Sequence, residues 1–271
     1  MKIRNLLLPA AFLALTASAF QSCSGGANAD TIEFETRADS VGYLVPDCYG
    51  DSVYCAAKYS VVWPSKIGKQ DFDALKDSLM EITFGVQGVD FDKASKGYLR
   101  SGLNNLIAAD DTVRLPFETV PYLTANDEDR VNINNVKSEV TLLTPDLLVI
   151  GVNHEVYYYG AAHGMRGRLF LNYSIKNHQL LTAENVFLPG NEKGILSIIS
   201  AAAAEQYPQE GVLFDAPIQS YGNFQITEND FIFVYQPYEI APYSSGIIEI
   251  TVSAQDLYRF LTADAIKALS L

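Results

Sequence analysis

Along this chain the spacing of apolar residues changes twice, and that change restricts the fold more than any single motif does. Between Val53 and Trp63, Tyr59, Val61 and Trp63 recur at every second position before Pro64 ends the run, as in a strand with one buried face. Ile32 and Phe34 alternate in the same way upstream, Val41 to Val45 continues the pattern, and Pro46-Asp47-Cys48-Tyr49-Gly50-Asp51 supplies turn residues, so the segment predicts a hairpin. From Lys69 to Phe84 the period becomes helical, with Phe72, Leu75, Leu79 and Ile82 on one face. A second helix from about Asp92 to Ala109 aligns Leu99, Leu103, Leu106 and Ile107. Strand patterns then return at Glu139 to Leu143, Leu147 to Tyr159 and Arg168 to Ile175, where Asn177-His178 turns the chain into Leu180-Leu181. A helix from about Glu192 to Gln206 faces Ile195, Leu196, Ile199 and Ala203 inward. Two strands follow, Asp230 to Tyr235 and Gly246 to Val252, and Ser253, with Asp256 three residues on, predicts the N-cap of a final helix carrying Leu257, Phe260 and Leu261. This order predicts an α+β fold, a mostly antiparallel sheet packed with helices.

Composition divides the chain and narrows its partners. Between Ala109 and Lys137 the sequence turns acidic and Asn-rich, which predicts a domain junction or a long surface connection between a smaller N-terminal α/β part (31–124) and a larger C-terminal domain (125–271). Nearly half the residues, 48%, are apolar, enough for a sizeable core. With 32 Asp and Glu against 19 Lys and Arg, the formal charge is −13, the wrong sign for sequence-independent binding to nucleic acid. An acidic surface serves solubility, or it attracts a cationic protein.

The first residues read as an export signal. Lys2 and Arg4 precede an apolar run from Leu6 to Phe20, too short and too interrupted for a comfortable membrane span. The run reaches Phe20-Gln21-Ser22-Cys23, which looks like a bacterial lipobox, and Ser24 to Ala29 is a small-residue tether. The expectation is a lipoprotein: residues 1–22 removed, Cys23 lipid-modified, 23–30 a flexible tether, and the body extracytoplasmic, in the periplasm or at the outer membrane. An ordinary signal cleaved near Ala17-Ser18-Ala19 is the other reading. Removing residues 1–22, which hold Lys2 and Arg4 and no acids, takes the charge from −13 to −15 on 249 residues. In an oxidising compartment Cys48 and Cys55 read either as a small disulfide across the hairpin tip or as a pair of buried thiols. Without a nearby histidine they make a poor zinc set, and no metal site is expected.

Signatures of enzymes with recognisable motifs are missing. The sequence holds no G-x-G-x-x-G, Walker loop, H-E-x-x-H, C-x-x-C or G-x-S-x-G, so no cofactor is expected. Two segments stand out instead. Tyr157-Tyr158-Tyr159-Gly160-Ala161-Ala162-His163-Gly164 puts tyrosines on both faces of a strand and delivers His163 at a turn of small residues. There His163 can pin the loop, contact a ligand or act as a catalytic imidazole. Phe231 to Gly246 runs a buried strand into Pro237 and Pro242, with Glu239 among aromatic neighbours. Apolar company raises a carboxyl pKa, which prepares a general acid, and Glu239 with His163 would make a minimal acid/base pair if the loops met. A buried acid accepting backbone N–H groups gives the same pattern.

Both segments carry a resemblance. Tyr158 to Gly164 is similar to the Y-x-G-G-A-H-G signature of the extracellular domain of RsiV-type lysozyme-sensing anti-sigma factors, also present in PdaC-type peptidoglycan deacetylases. Asn172 to Phe187 resembles that family's middle motif, and Tyr235 with Pro237 to Tyr243 and Gly246 resembles its closing Y-x-P-Y-E-I-A-P-Y-x-x-G. The likeness covers about residues 126–262, and 31–109 fits more weakly the small α/β domain that precedes it. Ala161 stands for the second glycine, and Lys176-Asn177-His178-Gln179 replaces the family's T-G turn. The resemblance implies an extracytoplasmic α+β domain that binds lysozyme in its best-known members. The reading is therefore a lipid-anchored envelope protein recognising a cationic lysozyme-like protein or a peptidoglycan component, with Tyr158, Tyr159, His163, Tyr235, Tyr238, Glu239 and Tyr243 as the contact surface. The alternative is a small cell-wall hydrolase using His163 and Glu239.

Overall fold

The computed structural model describes residues 32–46, 52–67, 72–108, 130–159, 161–269 and 271. The leader 1–22, the tether, Cys23 and Cys48 lie outside the described residues. The chain runs β1 (Ile32–Pro46), β2 (Ser52–Ile67), α1 (Asp73–Phe84), α2 (Phe91–Ala108), β3 (Val131–Leu143), β4 (Leu147–Tyr157), β5 (Met165–Ser174) and β6 (Gln179–Leu180). It continues through α3 (Ala183–Val186), α4 (Glu192–Gln206), β7 (Asn223–Ile226), β8 (Asp230–Tyr235), β9 (Ile248–Ser253), α5 (Ala254–Leu257) and α6 (Ala263–Ala268). The strands form a six-stranded sheet in the order β1-β2-β3-β4-β5-β6 and a three-stranded sheet in the order β7-β8-β9. Every pairing is antiparallel except β2 with β3, where α1 and α2 make the crossover a parallel pair needs. This is the expected mixed α+β architecture.

Period-two alternation on β4 explains how two cores share one sheet. Leu148, Ile150 and Val152 point to the side where α1 and α2 lie and pack with Leu75, Leu79, Leu103 and Tyr173. Leu147 and Val149 point the other way and pack with Phe170 of β5 and with Ile195, Phe224 and Phe233 from α4 and the small sheet. A strand covered on both faces has to be apolar throughout, and Leu147–Val152 is buried without a break. The expected junction at 124 does not divide this sheet, because Val131–Lys137 of β3 pairs directly with Tyr54–Ser60 of β2. The N-terminal part and the larger C-terminal part therefore share the large sheet.

Three local readings change. The bridge from Cys55 to Cys48 is not formed at Cys55, a buried free thiol. The hairpin register sets Tyr43 opposite Cys55, and the sulfur faces α2, 3.9 Å from the Leu106 carbonyl and 3.4 Å from Asn132 Nδ2. Second, the C-terminal helix is broken. Ser253 does cap it, accepting the Gln255 N–H, but α5 gives way after one turn because Leu261 bridges to Phe187 and the Thr262 N–H reaches the Val186 carbonyl. Thr262 then caps α6 by accepting the Ala265 N–H. Third, β7 was not expected: its four residues pair with β8 and are flanked by polar loop.

Candidate functional site

The two unusual segments, about eighty residues apart in sequence, meet at one end of the sheets. The first loop leaves β4 after Tyr157 and returns at Met165. Its backbone is held from outside, since the Tyr159 N–H donates to Asn132 Oδ1 at 2.6 Å. Gly164 is required by close approach: a Cβ there would sit 2.9 Å from the Val156 carbonyl and against the Tyr157 ring.

The second loop leaves β8 through a tight turn. Glu239 N–H donates to the Gln236 carbonyl at 3.0 Å, with Pro237 at the first corner and Tyr238 at the second in the left-handed region, φ 73°. Proline followed by a left-handed residue is the type II pattern, which glycine or asparagine normally fills. The turn is closed by the Tyr238 N–H on the Ala241 carbonyl and by the Glu239 carboxylate, which accepts the Gln236 N–H at 2.8 Å. Behind it Ala241 is buried, and Ser245 Oγ donates to the Val212 carbonyl.

A clasp joins the loops. The His163 ring stacks on Tyr243 at 3.6 Å between centroids and 21° between planes, and the Tyr243 hydroxyl donates to the Gly164 carbonyl. Tyr238 lies 5.7 Å from Tyr243, extending the aromatic row. Deeper, Gln236 fixes the second loop to β5: its Nε2 donates to the Arg168 carbonyl at 2.7 Å and its Oε1 accepts the Arg168 N–H at 2.9 Å. The Arg168 guanidinium in turn pairs with Glu249 at 2.7 Å and lies over Phe170. Gln236, Arg168, Glu249 and Asn132 escaped the sequence reading. Only Gln236 had a signal, its place beside Pro237 in the closing motif.

Not every expected residue belongs to the surface. Tyr158, Tyr159 and Tyr238 are exposed at 36, 41 and 54%, with Met165 beside them at 50%. Tyr235 instead is fully buried. It ends β8 on the inner face, its hydroxyl donates to the Ser220 carbonyl at 2.9 Å, and burial first, then the Glu239 charge, pushes its pKa up. Glu239 is not enclosed by its aromatic neighbours. Its side chain is exposed and caps its own turn, and Glu239 is not among the hydrogen-bond partners of His163, whose Nδ1 lies 3.1 Å from the Gly164 carbonyl. No direct hydrogen bond joins the acid/base pair of the hydrolase reading, and the His163 ring is held by its stack on Tyr243. No group of three His, Cys, Asp or Glu able to hold a metal occurs among the described residues, and no helix among them is long and apolar enough to cross a membrane.

This geometry can be set beside known proteins. No match is found among curated proteins. A DUF3298-family protein from Pseudomonas aeruginosa PAO1 superposes with a TM-score of 0.59 at 20% identity, over 88% of this chain and 97% of that one. A member of the same family from Bacteroides fragilis superposes with a TM-score of 0.68, also at 20% identity, over 88% of this chain and 97% of its own. Residues 184–255, from α3 through β9 and including the Pro237–Gly246 loop, match the family described as "Protein of unknown function (DUF3298)".

Proposed function

We propose that this protein is a lipid-anchored, extracytoplasmic binding module whose two clasped loops recognise a cationic, lysozyme-like protein. One observation carries the reading: four exposed apolar side chains, Tyr158, Tyr159, Met165 and Tyr238, are gathered on loops that hydrogen bonds and a ring stack already hold in place. Rigid tyrosines give large contact area with little conformational entropy to lose, which suits a recognition surface. The charge of −13, or −15 after loss of residues 1–22, favours encounter with a basic partner. The lipobox-like Cys23 and the small-residue tether support an anchor that leaves the body free to meet such a partner. Titrating lysozyme against the protein at low and at physiological salt is the test. Binding at micromolar concentration or below, weakening as salt rises, is expected. Absence of binding at micromolar concentration at both salts overturns the reading.

A further inference from the structure

The large sheet has a second surface that the loops do not use. Between the register shifts at Glu33/Phe34 and Val140/Leu142, the even-numbered residues on β1 and β2 and the odd-numbered ones on β3 and β4 point away from α1 and α2, since Cys55, Ala57 and Tyr59 with Val136 point toward them. On this outer face Thr36, Ala38, Ser40, Lys58, Lys137 and Glu139 are exposed. One cross-strand row reads Lys58, Asn135, Glu155, and the next Ser60, Lys137, Asn153. Tyr54 lies flat on the same face over Gly42, where any Cβ would overlap the tyrosine ring. Half-buried Tyr157 closes the far side.

The charges here run against those of the whole chain. Glu155 is paired with Arg166 at 3.3 Å, whereas Lys58 and Lys137 have no ion-pair or hydrogen-bond partner among the described residues. One strand spacing and two residues apart, their Cα atoms are separated by about 8 Å. Glu139, two residues beyond Lys137, limits the positive patch at one end. Two free ammonium groups, amide side chains between them and a flat tyrosine make a surface for a ligand with sparse negative charge, many hydroxyls and an apolar ring face. Among the described residues of this face no large apolar side chain stands fully exposed to anchor a protein, Val131, Ile133 and Tyr157 being half-buried, and the acidic chain repels a dense polyanion such as nucleic acid.

We propose that this outer face binds a linear glycan that carries carboxylates, with Lys58 and Lys137 pairing the carboxylates, Asn135 and Asn153 bonding hydroxyls or N-acetyl groups, and Tyr54 stacking on a sugar ring. The face adjoins the clasped loops at Tyr157 and Asn153, but Lys58, Lys137 and Tyr54 lie on β2 and β3, which carry none of the proposed lysozyme contacts.

The test is calorimetric titration of the purified protein with a hyaluronan decasaccharide, which has a carboxylate on alternate sugars, at about 50 mM salt. Chitohexaose serves as the uncharged glycan and a short poly-glutamate as charge without sugar. Hyaluronan is expected to bind with a Kd below roughly 1 mM, and chitohexaose and poly-glutamate about tenfold or more weakly. The double variant Lys58→Gln/Lys137→Gln, with both changes on exposed side chains, is expected to weaken hyaluronan about tenfold and leave lysozyme titration unchanged. No hyaluronan binding, equal binding by the double variant, or poly-glutamate binding as tightly as hyaluronan each overturns the proposal, the last reassigning the face to an acidic protein.

Discussion

Tyr238 occupies a backbone conformation that a bulky residue adopts at a cost. A left-handed φ brings the Cβ of an L-residue against its own carbonyl, about 1–2 kcal/mol for a single residue. That the strained residue is also the most exposed tyrosine of the clasped loops connects conformation with recognition, because the turn throws the ring outward rather than into the core. Tyr238→Gly relieves the strain while giving the unfolded chain more freedom, and these effects nearly cancel. The variant is expected to unfold within about 1 kcal/mol of the parent, or slightly above it, and yet to lose at least about tenfold in lysozyme affinity. Thermal melting and titration on one preparation check both halves, and a variant that melts far earlier contradicts the strain argument.

At the level of elements, the edge of β5 decides how the two sheets meet. Beyond the short β6 pairing, the Arg168 and Phe170 backbone groups face away from β4 with no strand to pair them, and such groups must find partners when buried. Side-chain amides from the smaller sheet supply them: Gln236 bonds both groups of Arg168, and Asn223 accepts the Phe170 N–H at 2.6 Å and donates to its carbonyl at 3.2 Å. Asn172 reciprocates from β5, donating to the Phe224 carbonyl and accepting the Ile226 N–H, both at 2.8 Å. Asn172→Ala strands a buried carbonyl and a buried N–H, so a loss of about 2–4 kcal/mol is expected, read as a lower urea midpoint with unchanged slope. These stitches account for what the sequence concealed. Periodic elements such as α2, with Leu99, Leu103 and Leu106 inward, were legible because one face repeats along one segment. An asparagine that caps a strand edge fifty residues away leaves no local pattern. For the same reason Tyr158, Tyr238 and His163 were visible as unusual, whereas the burial of Tyr235 and the self-capping of Glu239 depended on which side of β8 and its loop faced the core.

On the scale of the whole molecule, the shared sheet makes one half-buried histidine a reporter of acid stability. His154 sits on β4 on the side facing the helices, its Nε2 2.7 Å from the Ile82 carbonyl at the end of α1. Burial lowers its pKa below the ordinary 6.5, and the Ile82 bond opposes this more weakly. The folded state thus resists a proton that the unfolded chain accepts near pH 6.5. Below that pH the unfolded state binds more protons, so the contribution of the neutral ring is complete above pH 6.5 and is lost as pH falls beneath it, by no more than about 1.4 kcal/mol per pH unit for one proton. The net charge complicates a bare comparison: protonating some of the 32 acids relieves repulsion as pH falls, which shifts stability for reasons unrelated to this ring. The informative quantity is the difference between parent and His154→Gln, since glutamine keeps a donor for the Ile82 carbonyl and does not titrate. Urea midpoints at pH 7.5 and pH 5 are expected to separate more for the parent than for the variant. Equal separations would mean that acid sensitivity resides in the carboxylates and that the contact between β4 and α1 holds whatever the protonation of His154.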